Sequence, residues 1–211
     1  MPLLQKHTSP RWGIWRIEEG WEQLLAQSDC PALYRPFLDK CRSDSRKAEW
    51  LAVRLLLREL TGRETAIAYH DNGSPYLPES DCNISISHTR GYAAVILDCT
   101  HVAGIDIEYR SERVQRIKSR FLHESESDRL NNASTDALLI CWSAKETAFK
   151  MTGRRTADFR KDIRVLPFEL SEASGCVDVK ETLTEASTVY RIKYAVTPAY
   201  VVTYGIFRAG K

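Results

Sequence analysis

Twice along the chain a long helical pattern ends at a glycine and gives way to short strand-like segments, and this repetition limits the possible folds more than any other feature. The first helical pattern covers residues 44–60 and stops near Gly62. A turn-rich loop follows, His70-Asp71-Asn72-Gly73-Ser74-Pro75. Strands are then predicted over residues 83–87, 92–98 and 102–108, the last two joined as a hairpin through Cys99-Thr100-His101. The second helical pattern starts at a Ser134 cap, carries Leu138, Leu139, Trp142 and Phe149, and stops at Gly153. Strand patterns return at residues 163–166 and 177–179, then as a hairpin of 188–196 with 200–207 around Pro198. Helix then strands, twice, predicts an α+β fold of two similar halves, residues 1–103 and 104–211.

Charge narrows the partners. Thirty Lys and Arg against 28 Asp and Glu leave a net charge of +2, which excludes a whole-protein grip on nucleic acid or acidic membranes but not a local basic patch. No apolar run is long enough to span a bilayer, and the amino terminus lacks the apolar core of a secretory signal. The six cysteines show no CxxC or histidine-spaced pattern, so no zinc site is expected. All six are read as reduced thiols in a cytoplasmic protein.

Three clusters carry chemistry. In Gly104-Ile105-Asp106-Ile107-Glu108 a strand places both acids on one face and both isoleucines on the other. Paired carboxylates suit an oxygen-ligated cation such as magnesium, although the same pattern fits two solvated acids on an edge strand. In Trp142-Ser143-Ala144-Lys145-Glu146-Thr147-Ala148-Phe149-Lys150 a helix makes Glu146 and Lys150 neighbours. That is a third carboxylate beside a cation, or an ordinary surface ion pair. In the first helix Lys47, Arg54 and Arg58 lie within a stripe about 40° wide, with leucines on both sides. Cations so placed either face a phosphate-binding recess or reach out to solvent.

Taken in order, these segments resemble the motifs of the 4′-phosphopantetheinyl transferases. Gly104–Glu108 and Trp142–Lys150 are similar to that family's G-I/V-D-x-E and W-x-x-K-E-x-x-x-K motifs. Arg120-Phe-Leu-His-Glu-Ser-Glu126 is similar to its aromatic-then-Glu segment. Asn83-Ile-Ser-Ile-Ser87-His88 resembles its N-I-S-H segment, and Asn72–Leu77 its G-x-P loop. The length suits the larger, surfactin-synthetase-activating type, in which one chain forms a pseudo-dimer and needs no second copy.

The resemblance implies two α+β halves related by pseudo-twofold symmetry, with coenzyme A in the cleft between them. It also implies a reaction: the serine hydroxyl of an apo acyl or peptidyl carrier protein attacks the β-phosphate of coenzyme A, and adenosine 3′,5′-bisphosphate leaves. Asp106, Glu108 and Glu146 would hold magnesium, and Lys150 would offset charge on the transferred group. Glu146 is the implied base, directly or through water, with Glu126 assisting. Ser87 and His88 would meet the adenosine end, and Arg46 or Lys47, together with Arg54, its phosphates. One departure stands out: Ser74 occupies the G-x-P position where many members carry a cation. His70 and Arg90 are candidate substitutes. A homologue that binds coenzyme A or carrier but has lost turnover is the alternative reading of that change.

Overall fold

The computed structural model describes residues 2–130 and 132–208. Its first half runs β1 (Leu3–Thr8), β2 (Arg11–Arg16), α1 (Trp21–Leu25), α2 (Pro31–Leu38), α3 (Asp44–Thr61), β3 (Ala68–Tyr69), β4 (Pro75–Tyr76), β5 (Asn83–Thr89) and β6 (Tyr92–Asp98). The second half runs β7 (Val102–Tyr109), α4 (Arg113–Ile117), a short 3₁₀ turn, α5 (Glu124–Leu130), α6 (Thr135–Thr152), β8 (Ile163–Val165), β9 (Ser174–Glu181), β10 (Val189–Val196) and β11 (Tyr200–Phe207). The strands form an antiparallel four-stranded sheet ordered β1-β2-β6-β5 and an antiparallel five-stranded sheet ordered β7-β11-β10-β9-β8. The content is mixed α+β, as the sequence predicts.

The two long helices are built alike. Each has 18 residues, and each begins at a serine, Ser43 or Ser134, whose side chain accepts the backbone N–H three residues on. Each ends at a glycine in the left-handed region, Gly62 with φ 79° and Gly153 with φ 64°, where a side chain would be strained. α6 is buried nearly all round, so it is a core helix and not an amphipathic surface one. Its approach to β7 depends on Gly104: a Cβ there would stand 2.6 Å from the Thr147 carbonyl oxygen and 2.7 Å from Met151 Cγ.

The predicted hairpin between residues 92–98 and 102–108 is corrected. β6 pairs with β2 and β5, whereas β7 pairs with β11, so the Cys99–His101 turn carries the chain from one sheet to the other. Asp98 Oδ1 holds this turn by accepting the Thr100 and His101 backbone N–H groups. Edge strands β5 and β7 then lie side by side without a backbone ladder. Side chains bridge them: Ile105 N–H donates to Ser85 Oγ at 3.2 Å, and Tyr109 N–H donates to Thr89 Oγ1 at 3.1 Å. Trp12, Ile14, Ala94 and Ile96 of the first sheet pack with Ile105, Ile107, Tyr200 and Val202 of the second. Each buried isoleucine contributes about 1.5–3 kcal/mol to this contact.

The expectation of six reduced thiols is also corrected. Cys82 and Cys99 form a disulfide, because the β5–β6 register that pairs Asn83 with Asp98 sets them opposite each other one position further out. Cys30, Cys41, Cys141 and Cys176 are free. Among the described residues no helix is long and apolar enough to cross a membrane.

Candidate active site

β7 presents Asp106 and Glu108 toward α6, while Ile105 and Ile107 enter the apolar contact on the opposite face, as strand alternation requires. Asp106 is 4% exposed. Its Oδ1 accepts from Ser87 Oγ and from Lys150 Nζ, both at 2.8 Å, and its Oδ2 accepts from Ser143 Oγ at 2.8 Å. One carboxylate thus ties β5, β7 and α6 together. Thr203 on β11 extends the network, 2.9 Å from Ser143 Oγ. The Trp142 indole N–H donates to Glu108 Oε1 at 2.7 Å.

Glu146 lies one helical turn before Lys150 and accepts no hydrogen bond among the described residues. Burial, followed by the nearby Asp106 charge, pushes the Glu146 carboxyl up to about 7. Glu108 is also pushed up to about 7, by burial and then by Asp106 and Glu146, against the indole hydrogen bond. Two acids with raised proton affinity beside a third are a set that a hard divalent cation would relieve, and all their donor atoms are oxygen. Among the described residues no group of three or more His, Cys, Asp or Glu side chains is placed to hold a metal ion. Asp106, Glu108 and Glu146 offer only oxygen donors, and Lys150 Nζ stands 2.8 Å from Asp106 Oδ1.

A second cluster lies along α3. The Arg46 guanidinium donates to His88 Nε2 at 2.5 Å, which leaves the N–H on Nδ1, 3.5 Å from Glu49 Oε2. Burial is the main cause holding the His88 proton affinity below its ordinary value. Arg54 is buried, donates to the Trp50 carbonyl at 3.0 Å and stacks 3.1 Å from the Trp50 ring centroid. Its desolvation lowers the guanidinium to about 10. Arg46, Arg54 and His88 share one cavity with Tyr69, Gly73 and Pro75. Lys47 is not in it: its ammonium stands 4.3 Å from the Trp21 ring centroid and pairs with Asp44. Arg58, the third member of the basic stripe, bonds the Gln27 carbonyl and pairs with Asp29 and Glu64.

Ser74 donates its hydroxyl hydrogen to Asn72 Oδ1 at 2.6 Å, inside its own turn. Neither candidate substitute joins the Arg46 cluster. His70 stacks on Tyr76, and Arg90 lines a different cavity beside Glu108.

Glu126 sits elsewhere again. It is wholly buried, and Lys145 Nζ donates to its Oε2 at 2.7 Å. The same Oε2 accepts the His123 backbone N–H at 2.6 Å, and Oε1 accepts the Val165 N–H at 2.6 Å. Lys145 uses its other two hydrogens on the Phe121 and Phe159 carbonyls. Sequence reasoning missed this pairing. It also missed Glu49, Ser143 and Thr203, which carry no spacing signal of their own and are assembled by contacts between distant segments.

A buried Asp106 with the half-buried Glu108 and Glu146 and a lysine, together with an arginine- and histidine-lined cavity, makes a site suited to transfer of a phosphoryl-linked group. Two family models match the chain: the 4′-phosphopantetheinyl transferase superfamily over residues 103–204, and the 4′-phosphopantetheinyl transferase N-terminal domain over residues 36–98. The chain belongs to the 4′-phosphopantetheinyl transferase superfamily, with the N-terminal domain typical of the surfactin-synthetase-activating type. No curated protein matches it.

Proposed function

We propose that this protein transfers 4′-phosphopantetheine from coenzyme A to a serine of an apo acyl or peptidyl carrier protein, with magnesium, releasing adenosine 3′,5′-bisphosphate. The observation that carries the reading is the convergence of Asp106, Glu108, Glu146 and Lys150, with Lys150 Nζ 2.8 Å from Asp106 and two carboxyls pushed up to about 7. The two halves meet at the 99–101 turn, since β7 begins at Val102 and not at residue 104, and act as a pseudo-twofold pair; the matching serine and glycine caps of α3 and α6 support that symmetry.

Arg46, His88 and Arg54 bind the phosphate-bearing adenosine end in this reading, with Lys47 left to its contact with Trp21. Ser87 acts from behind, orienting Asp106. Asp106, Glu108 and Glu146 would hold magnesium, which supplies charge neutralisation at the pyrophosphate when bound. Lys150 already reaches the site and stabilises negative charge gathering on the transferred phosphoryl oxygens. Glu146, which accepts no hydrogen bond among the described residues, takes the serine proton directly or through a water. Glu126 is a positioning residue: it holds Lys145, and so the turn of α6 that carries Glu146.

Intact-mass measurement of apo carrier proteins incubated with this protein and coenzyme A tests the reading, with magnesium or excess chelator. A phosphopantetheine-sized gain only with magnesium is expected, and Asp106→Asn should abolish it. No gain across acyl and peptidyl carriers, with coenzyme A still bound, would replace the reading with that of a binding homologue.

A further inference from the structure

A cavity of about 450 Å³ draws its lining from both halves of the chain. The β3–β4 hairpin contributes His70, Ser74 and Pro75, β7 contributes Ala103, and the end of α6 contributes Lys150 and Gly153. A ligand whose phosphoryl oxygens meet Lys150 therefore has this cavity beside it. The hairpin has little rigidity of its own, because β3 and β4 are two residues each and form a sheet separate from the other two. Its turn is closed internally: His70 N–H donates to the Ser74 carbonyl at 2.9 Å, and Gly73 N–H donates to the His70 carbonyl at 2.8 Å. Asn72 ties this turn to the other half. Its Oδ1 accepts the Ser74 N–H at 3.0 Å and the Ser74 hydroxyl at 2.6 Å, which turns the NH₂ end of the amide outward. That Nδ2 donates to the Gly153 carbonyl at 2.9 Å. Gly153 is the left-handed cap of α6, three residues past Lys150, so the bond fixes the hairpin against the helix end that carries the reaction-centre lysine.

Resting on the transferase reading, we propose that Asn72 is a positioning residue for coenzyme A, bridging the two halves and setting the gap between the β3–β4 hairpin and α6 in which the substrate is held. Coenzyme A lies between hairpin and helix with its phosphates at Lys150, and the Asn72–Gly153 bond keeps that gap from widening. Ser74 acts through Asn72, by fixing which end of the amide faces α6. The serine hydroxyl, which offers a phosphate no charge, is committed to this task. One hydrogen bond between neutral groups near the surface adds little to the folded state, so its loss loosens the wall of the cavity without unfolding either half.

The test uses full-length protein, magnesium, coenzyme A at varied concentration and a saturating apo carrier that the wild-type protein modifies. Asn72→Ala should raise KM for coenzyme A about fivefold, within the range that one net hydrogen bond supports, with kcat and KM for the carrier changed less than about twofold. A purely structural role would lower the active fraction, and so kcat, without moving KM. Ser74→Ala keeps its backbone N–H on Asn72 and loses only the hydroxyl contact, so its KM for coenzyme A should rise about twofold. This milder variant also keeps the test decisive if Asn72→Ala melts well below the wild type. An unchanged KM for coenzyme A in both variants overturns the positioning role while leaving the transferase reading intact. A fall in kcat alone, or an equal rise in KM for the carrier, also overturns it. Failure of the wild-type protein to modify any carrier removes the transferase reading and this proposal with it.

Discussion

Glu126→Gln separates a structural acid from a catalytic one. The substitution keeps shape and volume but exchanges one carboxylate oxygen for an NH₂ group. The Val165 N–H can still find an amide oxygen, but the His123 N–H and the Lys145 ammonium then face a donor in place of Oε2. Lys145 is left as a cation at 0% exposure with no counter-charge. Breaking a buried ion pair from one side costs about 3–5 kcal/mol. At about 2–4 °C per kcal/mol for a chain of this size, the melting temperature should fall by about 6–20 °C. Thermal and urea unfolding followed by circular dichroism give this loss directly. Carrier modification by the folded fraction, measured well below the transition, should persist at a reduced rate. Glu126→Leu/Lys145→Met should recover much of the stability, because it removes both charges together. Native stability with turnover abolished in Glu126→Gln would refute the reasoning and return Glu126 to the reacting centre.

Gly104→Ala should destabilise the protein by about 1–3 kcal/mol through overpacking against Thr147 and Met151, and lower turnover by moving Lys150 away from Asp106; unfolding midpoints and kcat check both. In chelator, stability should decline as pH rises from about 4.5 to about 7. Over that window Glu108 and Glu146 stay protonated in the folded chain but ionise in the unfolded one, so the folded state holds more protons. Melting curves at stepped pH should show the decline, and Glu108→Gln/Glu146→Gln should flatten it. Magnesium must displace those protons, so its affinity, read by calorimetry, should rise with pH up to about 7 and level off above.

Whatever follows from spacing along the chain was legible in the sequence. Helix ends at Gly62, Ser134 and Gly153 are local chemistry, because caps satisfy the orphan backbone groups of their own helix; the matching Ser43 cap emerged only in the structure. The alternation in Gly104–Glu108 fixed which face carries acid. The family motifs, being short and ordered, were equally visible. Tertiary structure alone decided which segments meet. The sequential strands β6 and β7 read as a hairpin, yet β6 pairs with β2 and β5 while β7 pairs with β11, so they belong to different sheets whose apolar faces meet. Arg46 and Lys47 differ by one helical step, and only packing against Trp21 and His88 determined which one enters the cavity. Lys145 looks like any cation in a motif until the fold surrounds it with Glu126 and two carbonyls. Periodicity reports a residue's own element, whereas partnership depends on the loop-closing contacts that bring distant elements together.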